Sequence, residues 1–476
     1  MLSRGKIPIT ITFLMLLIGL YHWFFTTIPT FSRPMVSSED GYSRLASGVA
    51  WSSPNTRYPI NYVWPPLTPI FYSYAHLINP VQPYLSIRWT AWALILFSTI
   101  IVGLIGYRLS KNVPVAVLCT TIALTNPLFI NLSTQTLSEN IWLPLVGLAI
   151  FFLISTDQKQ WKWGYIFWSL SQMVRYESWY LSPLLILVFW LLHRHLKNTL
   201  ILFLTSLVFP LYWYLQTSLD TGNFHFYLDE KLLQAKHGSP YIYHHLIPSI
   251  GVWVKQLLSS VTPPQIMTFL VGAYYLSRRN NYFYLIPIFI FFSLIAQVYF
   301  ATMEIFPGRY LCLLPLFIIP ISLSFLYHDS HLSKTTFFIG AISLILLDLI
   351  TTSVRLNSLS DKVLSDQIAV GSFISTTNSP CVVYLKSSAS PRFDHSAFWY
   401  FSRLPMTKVI FQRVDDPYTN YKLPTTCYLV VVEKTPEHPG NKESIPRFFG
   451  QPIFENFYFQ VFEPPVIKNR VLNGQK

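Results

Sequence analysis

About eleven runs of apolar residues, each near the roughly 20 residues that carry a helix across a bilayer core, fill the chain up to residue 353. They fall near 7–28, 85–107, 113–131, 139–155, 163–175, 178–193, 199–218, 250–276, 282–302, 308–327 and 335–353. Backbone inside lipid must satisfy its own N–H and C=O groups, so runs of this kind fold as packed helices. Of 476 residues, only 12% are charged and 52% are hydrophobic, whereas soluble domains carry about 25% charged residues. The expected fold is therefore a polytopic α-helical membrane protein of about 11 spans. The first run follows Arg4 and Lys6. It is too long for a signal-peptide core and no small-residue cleavage site follows it, so it reads as a retained anchor. The 163–175 run is short, and reads as a tilted or partly buried helix.

Basic residues in short loops set orientation. With the N-terminus cytoplasmic, that side receives Arg4, Lys6, Arg108, Lys111, Lys159, Lys162, Arg194, Lys197, Arg278, Arg279 and Lys334, opposed only by Asp157 and Asp329. The first loop (29–84), the 219–249 loop and the C-terminal tail then lie on the other side, as in a multi-pass plasma-membrane protein. This bias explains part of the net charge of +13. No compact basic cluster interleaves with aromatic residues, which argues against a nucleic-acid partner.

The tail changes character near Arg355. Runs at Cys381–Leu385, Val409–Phe411, Cys427–Glu433 and Phe457–Phe462 read as strands separated by turn residues. The expected organisation is a transmembrane domain, 1–353, that includes the first loop, followed by a small extracytosolic α/β C-terminal domain, 354–476. Cys119 and Cys312 lie in apolar runs and read as core residues. Cys381 and Cys427 stand in the tail, where an oxidising compartment would permit a bridge; spacing alone leaves the pairing open.

Once orientation is set, Glu39, Asp40, Glu139, Arg175, Glu177, Glu304 and Arg309 all fall at the outer ends of spans or in outer loops. A charge at membrane depth costs roughly 2.5–3.5 kcal/mol even on lenient scales, so ionisable groups at this boundary usually pair or serve a pathway. Each also has a plainer reading. Glu39-Asp40 fits a solvated loop or a helix cap before Gly41-Tyr42-Ser43. Glu139 fits the first turn of a helix capped by Ser138. Arg175-Tyr176-Glu177 fits a salt-bridged turn, and Arg309-Tyr310 fits interfacial anchoring. His225, His237, His244 and His245 match no zinc spacing and read as surface residues. Asn131-Leu132-Ser133 has the form of a glycosylation sequon but lies close to the membrane.

Taken in order, these residues resemble the multi-spanning C-superfamily of glycosyltransferases that use polyprenyl-phosphate donors, a group including protein O-mannosyltransferases and lipid A aminoarabinose transferases. The resemblance covers roughly 7–327. It rests on the acidic pair Glu39-Asp40, Trp64-Pro65-Pro66-Leu67 before the second span, and Arg88 early in that span. Ser138-Glu139 opening the fourth span, Arg175-Tyr176-Glu177, and Arg309-Tyr310 followed by Pro315 and Pro320 complete it. Two departures stand out. The family often shows Asp first in the acidic pair, where this chain has Glu39. The aminoarabinose branch has a lysine where Trp64 stands, which argues against that substrate pair.

The resemblance implies inverting transfer of a hexosyl or pentosyl group from a polyprenyl-phosphate donor to a lipid, glycan or protein acceptor, among membrane lipids on the extracytosolic face. A carboxylate, Asp40 or Glu39, would take the acceptor's proton. Cationic donors would meet the charge gained by the leaving phosphate, with Arg175 and Arg309 as candidates and Arg88 after them; a planar guanidinium suits phosphate. Glu139 and Glu177 would orient sugar hydroxyls or hold the arginines, and Tyr62, Trp64 and Tyr72 would stack on a sugar face or serve packing. No cofactor is expected. Related oligosaccharyltransferases hold a divalent cation on clustered carboxylates, but the mannosyltransferase-like pattern does not require one. Two other classes compete: a transporter or lipid flippase, whose polar groups should reach the bilayer midplane, and a scaffold acting through its outer tail.

Overall fold

A computed structural model of the chain describes residues 9–32, 65–79, 83–225, 261–278, 281–299, 311–328, 334–356, 362–377, 379–387, 408–414, 429–433, 452–455 and 459–462, with isolated positions between them. The chain divides into two compact units, one of Met1–Met35 and Ser47–Ser358, the other of Val36–Ala46 and Leu359–Lys476.

The first unit is helical. Helix α1 (Ile9–Thr27) is followed by α2 (Leu67–Ile78), α3 (Pro83–Ser110), α4 (Val113–Thr125), α5 (Pro127–Ser133), α6 (Glu139–Leu153), α7 (Gln158–Gln172), α8 (Glu177–His193) and α9 (Leu196–Thr221). After them come α10 (Pro263–Arg278), α11 (Leu285–Tyr299), α12 (Leu313–His328) and α13 (Lys334–Leu356). Among the described residues, Thr10–Phe31, Leu85–Ser110 and Leu196–Thr221 are long and apolar enough to cross a membrane. The pair α4 and α5, bent by 63°, adds a fourth if it counts as one span. The expected runs at 139–155, 178–193 and 308–327 correspond to shorter apolar helices.

Three differences from the sequence reading have local causes. The 113–131 run breaks at Asn126, whose side-chain oxygen accepts from the N–H groups of Leu128 and Phe129 and starts a new helix with Pro127 at its first position. Proline removes a donor and disfavours helix in the residue before it, so the bend falls there. Helix α7 begins at Gln158, five residues before the apolar run, because the Asp157 carboxylate caps Lys159 N–H at 3.0 Å. In the first loop, Leu67–Ile78 forms a helix that the loop assignment did not include.

Helices α6 and α7 lie side by side, α3 packs on α4 and α6, and α12 packs on α3, α4 and α10. Backbones approach closely where side chains vanish: a Cβ at Gly103 of α3 would stand 2.8 Å from the Ala116 carbonyl oxygen of α4. The bundle's two ends differ in chemistry. At one, Arg108 Nη2 donates to Gln160 Oε1 at 2.6 Å, Trp161 Nε1 donates to Ser155 O at 2.8 Å, and the His193 ring meets Leu153 O at 2.7 Å. The start of α3, the starts of α6 and α8 and the end of α7 gather at the opposite end.

In the second unit, helix α14 (Lys362–Thr376) accompanies β1 (Val382–Ser387), β2 (Val409–Val414), β3 (Leu429–Glu433), β4 (Phe454–Glu455) and β5 (Phe459–Phe462). The sheet order is β2-β1-β3-β5-β4. Strand β1 runs parallel to β2 and β3, whereas β5 is antiparallel to β3 and β4. Val370 and Ile374 of the helix join Val382, Tyr384, Val409, Leu429, Val431 and Val461 in one core, the alternate residues of each strand facing it. Cys381 is disulfide-bonded, Cys119 and Cys312 are free and buried, and Cys427 lies outside the described residues.

Candidate functional site

Two buried helix starts and one buried helix end meet around Arg175. Glu139 opens α6 and Glu177 opens α8, while Arg175 lies just past α7, its N–H bonded to Ser171 O at 3.2 Å. Each charge complements the dipole of the helix end beside it. The guanidinium grips Glu177 in a two-point contact, Nε to Oε2 at 3.0 Å and Nη2 to Oε1 at 2.5 Å. Its Nη1 stands 2.9 Å from Glu139 Oε1 and donates to Ser138 Oγ at 2.8 Å. Arg175 is 3% exposed, Glu139 1% and Glu177 7%. Charges this deep persist only when paired and hydrogen-bonded.

Ser138 sits at the cap position of α6 without capping it. Its hydroxyl donates to Glu139 Oε2 at 3.1 Å and accepts from Arg175, so it belongs to the ion cluster. Asn140 organises the turn: its Oδ1 accepts from Leu137 N–H at 2.9 Å, and its Nδ2 reaches Leu132 O at 2.9 Å and Gln135 O at 3.2 Å. The sequence reading passed over Asn140, although an amide beside Ser138-Glu139 at a span end was the available signal. Cys312 is free and buried, as the core reading of its apolar run expects. Its thiol lies within electrostatic reach of Glu139, Arg175 and Glu177.

Helix α2 docks beside this cluster. Leu67 N–H donates to Met173 O at 2.9 Å and Tyr72 Oη donates to Leu137 O at 2.8 Å, so one helix touches both turns that carry the charges. Tyr72 is fully buried and serves packing, not an open sugar face. The Trp64-Pro65-Pro66-Leu67 motif thus leads directly into the helix that touches the cluster.

Arg88 is 2% exposed. Its Nη2 donates to Thr30 O at 3.0 Å and Thr134 O at 3.3 Å, with the guanidinium 4.7 Å from the Phe31 ring centroid. It ties the segments after α1 and α5 to α3. The sequon residue Asn131 lies within α5, where its Oδ1 accepts from Gln135 Nε2 at 2.8 Å. Glu39, Asp40, Tyr62, Trp64, Glu304 and Arg309 lie outside the described residues.

A further acid among the described residues lies well inside an apolar helix. Asp348 of α13 is fully buried, its Oδ2 accepting from Gln265 Nε2 at 2.9 Å. Gln265 in turn takes the Thr262 N–H on its Oε1 at 3.1 Å and closes the start of α10. Among the described residues, no three of His, Cys, Asp and Glu stand together as a metal-ligand set.

No family model matches the sequence, and no curated protein matches it. Solved structures do. ArnT from Cupriavidus metallidurans bound to undecaprenyl phosphate superposes with a TM-score of 0.63 at 12% identity, over 96% of this chain and 98% of that one. The apo state of the same protein gives 0.62 at 12% identity, over 94% and 97%. An oligosaccharyltransferase from Archaeoglobus fulgidus, tethered to an acceptor peptide containing the NVT sequon, gives 0.54 at 11% identity, over 90% and 69%. The chain therefore has the fold of the multi-spanning glycosyltransferases that the sequence resembles. At these identities the likeness is one of fold.

Proposed function

We propose that the chain is a membrane glycosyltransferase that moves a hexosyl or pentosyl group from a polyprenyl-phosphate donor to a lipid, glycan or protein acceptor at the extracytosolic face. The observation that carries this reading is the shared fold over nearly the full length of both chains, with a relative bound to undecaprenyl phosphate. The buried Glu139–Arg175–Glu177 cluster supports it, being a fixed polar block at one end of an apolar bundle.

In the proposed reaction, Asp40 or its neighbour Glu39 takes the acceptor hydroxyl's proton. The acceptor oxygen then attacks the anomeric carbon, the bond to the phosphate breaks with inversion, and polyprenyl phosphate leaves carrying the electron pair. Arg309 is proposed to meet that charge. Arg175 has a different part: Glu139, Glu177 and Ser138 engage all three of its nitrogens, so it fixes the two carboxylates in place. Glu139 and Glu177, so fixed, are proposed to orient sugar hydroxyls. Arg88 is proposed to act on structure, through the carbonyls it ties together. Trp64 and Tyr62 are proposed to line the sugar's approach. Transfer is proposed to run without a metal, so chelation should leave it unchanged. The protein is proposed to sit in the plasma membrane with its N-terminus cytoplasmic and its C-terminal domain outside.

The test supplies membranes with radiolabelled polyprenyl-phosphate hexose and pentose and identifies the labelled product. Label should move with the intact protein and stop with Asp40→Asn, at equal expression and membrane insertion. No transfer from any donor by the intact protein overturns the reading. Asp348, a buried acid well within an apolar helix, favours the transporter reading. Saturable movement of unmodified lipid or sugar without product would establish that reading instead.

A further inference from the structure

The turn that carries Arg175 rests on an aromatic ring one helical turn below Glu139. Trp142 of α6 is 1% exposed, and the Arg175 guanidinium stands 5.4 Å from its ring centroid. That is within the roughly 6 Å at which a cation is drawn to an indole face. The ring is fixed from its other end. Trp142 Nε1 donates to Ser178 Oγ at 2.7 Å, and Ser178 directly follows Glu177. Ser178 Oγ also meets Ser171 Oγ at 3.0 Å, and the Ser178 N–H donates back to Arg175 O at 3.3 Å. One indole therefore touches the arginine with its face and, with its N–H, the residue beside the arginine's carboxylate partner.

We propose that Trp142 is a positioning residue for the transfer reaction, setting where the Arg175 guanidinium and, through it, Glu139 and Glu177 stand. The inference rests on the reading of the chain as a glycosyltransferase. Salt bridges alone leave a guanidinium free to rock about its carboxylates. A face beneath it removes that freedom, and a weakly hydrated planar cation suits such a face better than an ammonium does. The contact is buried, where the attraction is stronger than at a surface. A second rung supports the first: Trp168 Nε1 and Gln172 Nε2 both donate to Ser182 Oγ, at 3.1 and 2.8 Å, and Ser182 Oγ donates to Ser178 O at 2.8 Å. The hydroxyls join the end of α7 to the start of α8, so the turn between them is held from below.

The experiment places fluorinated tryptophans at position 142 by nonsense suppression in the full-length protein and measures transfer of the radiolabelled polyprenyl-phosphate sugar. Fluorine weakens the ring's face while its shape and N–H remain. We expect kcat to fall stepwise with each added fluorine, by about tenfold across the series, with the donor KM and the melting temperature in detergent little changed. Trp142→Phe should retain more activity than Trp142→Leu. Ser178→Ala should cost severalfold in the native background and little more in Trp142→Phe, where the indole N–H is already gone. A flat fluorine series, with the native protein active, overturns the role of Trp142 while leaving the transferase reading standing. Equal losses in Phe and Leu variants that follow melting temperature overturn it as well, because they mark a purely structural ring. An inactive native protein overturns the transferase reading itself.

Discussion

The Arg175 guanidinium reaches Glu139 across the boundary between two helices, 2.9 Å from Nη1 to Oε1, while it holds Glu177 from its own turn. Residues 36 apart in the chain become one buried ionic unit, and the bundle's end is built on it.

Arg175→Lys should not preserve this unit. An ammonium cannot make the two-point contact with Glu177 and still reach Ser138 and Glu139. Removing the charge altogether, as Arg175→Ala does, leaves two carboxylates buried near one another, and breaking such a pair costs roughly 3–5 kcal/mol. Thermal unfolding in detergent should show a large drop for Ala, a smaller one for Lys, and transfer lost in both. Wild-type stability in the Ala variant would remove the ionic unit from any account of the fold.

The acidic pair can be resolved into its members. Asp40→Asn should abolish transfer, whereas Glu39→Gln should lower it severalfold, with insertion unchanged in each. Radiolabel transfer read side by side makes the comparison. The reverse order would move the base to Glu39.

Arg88 ties carbonyls of two segments to α3, and its loss should act on structure. Arg88→Met keeps much of the volume while the Thr30 and Thr134 carbonyls lose a charged donor, a loss of about 1.5–3 kcal/mol. Melting temperature should fall, and the residual folded fraction should keep its donor KM. A raised donor KM at unchanged stability would return Arg88 to the phosphate.

At Asp348, Asn preserves an acceptor for Gln265 Nε2 and Ala does not. Asp348→Asn should therefore match the native protein in melting temperature, and Asp348→Ala should fall by about 1–3 kcal/mol in stability. If the Asn variant were as damaged as the Ala variant, the negative charge itself would matter, and a cation at that depth would be needed.

Apolar runs located most helices to within a few residues because lipid leaves the backbone no other way to satisfy its hydrogen bonds. What escaped that signal was set by single polar side chains. Asn126 ends one helix and starts another inside a run that reads as continuous, and Asp157 starts α7 among lysines and glutamines that read as loop. The site was legible in part. Placing Glu139, Arg175 and Glu177 at the same end followed from alternating loops, since each opens or closes a span. The pattern offers Arg175–Glu177 as a salt-bridged turn and both glutamates as holders of an arginine, which is what they do; the indole beneath Arg175 gives no sign, because a tryptophan in an apolar run looks like any lipid-facing one. For Tyr72 the residue pattern leaves sugar stacking and packing both open, and the helix Leu67–Ile78 within that loop buries it.

The bend at Asn126 bears on how this protein enters its membrane. Thirteen residues of α4 rise about 20 Å and seven of α5 about 10 Å, so neither crosses a hydrocarbon layer of roughly 30 Å alone. A crossing here takes the two together, about 30 Å end to end, with α4 settled against α3.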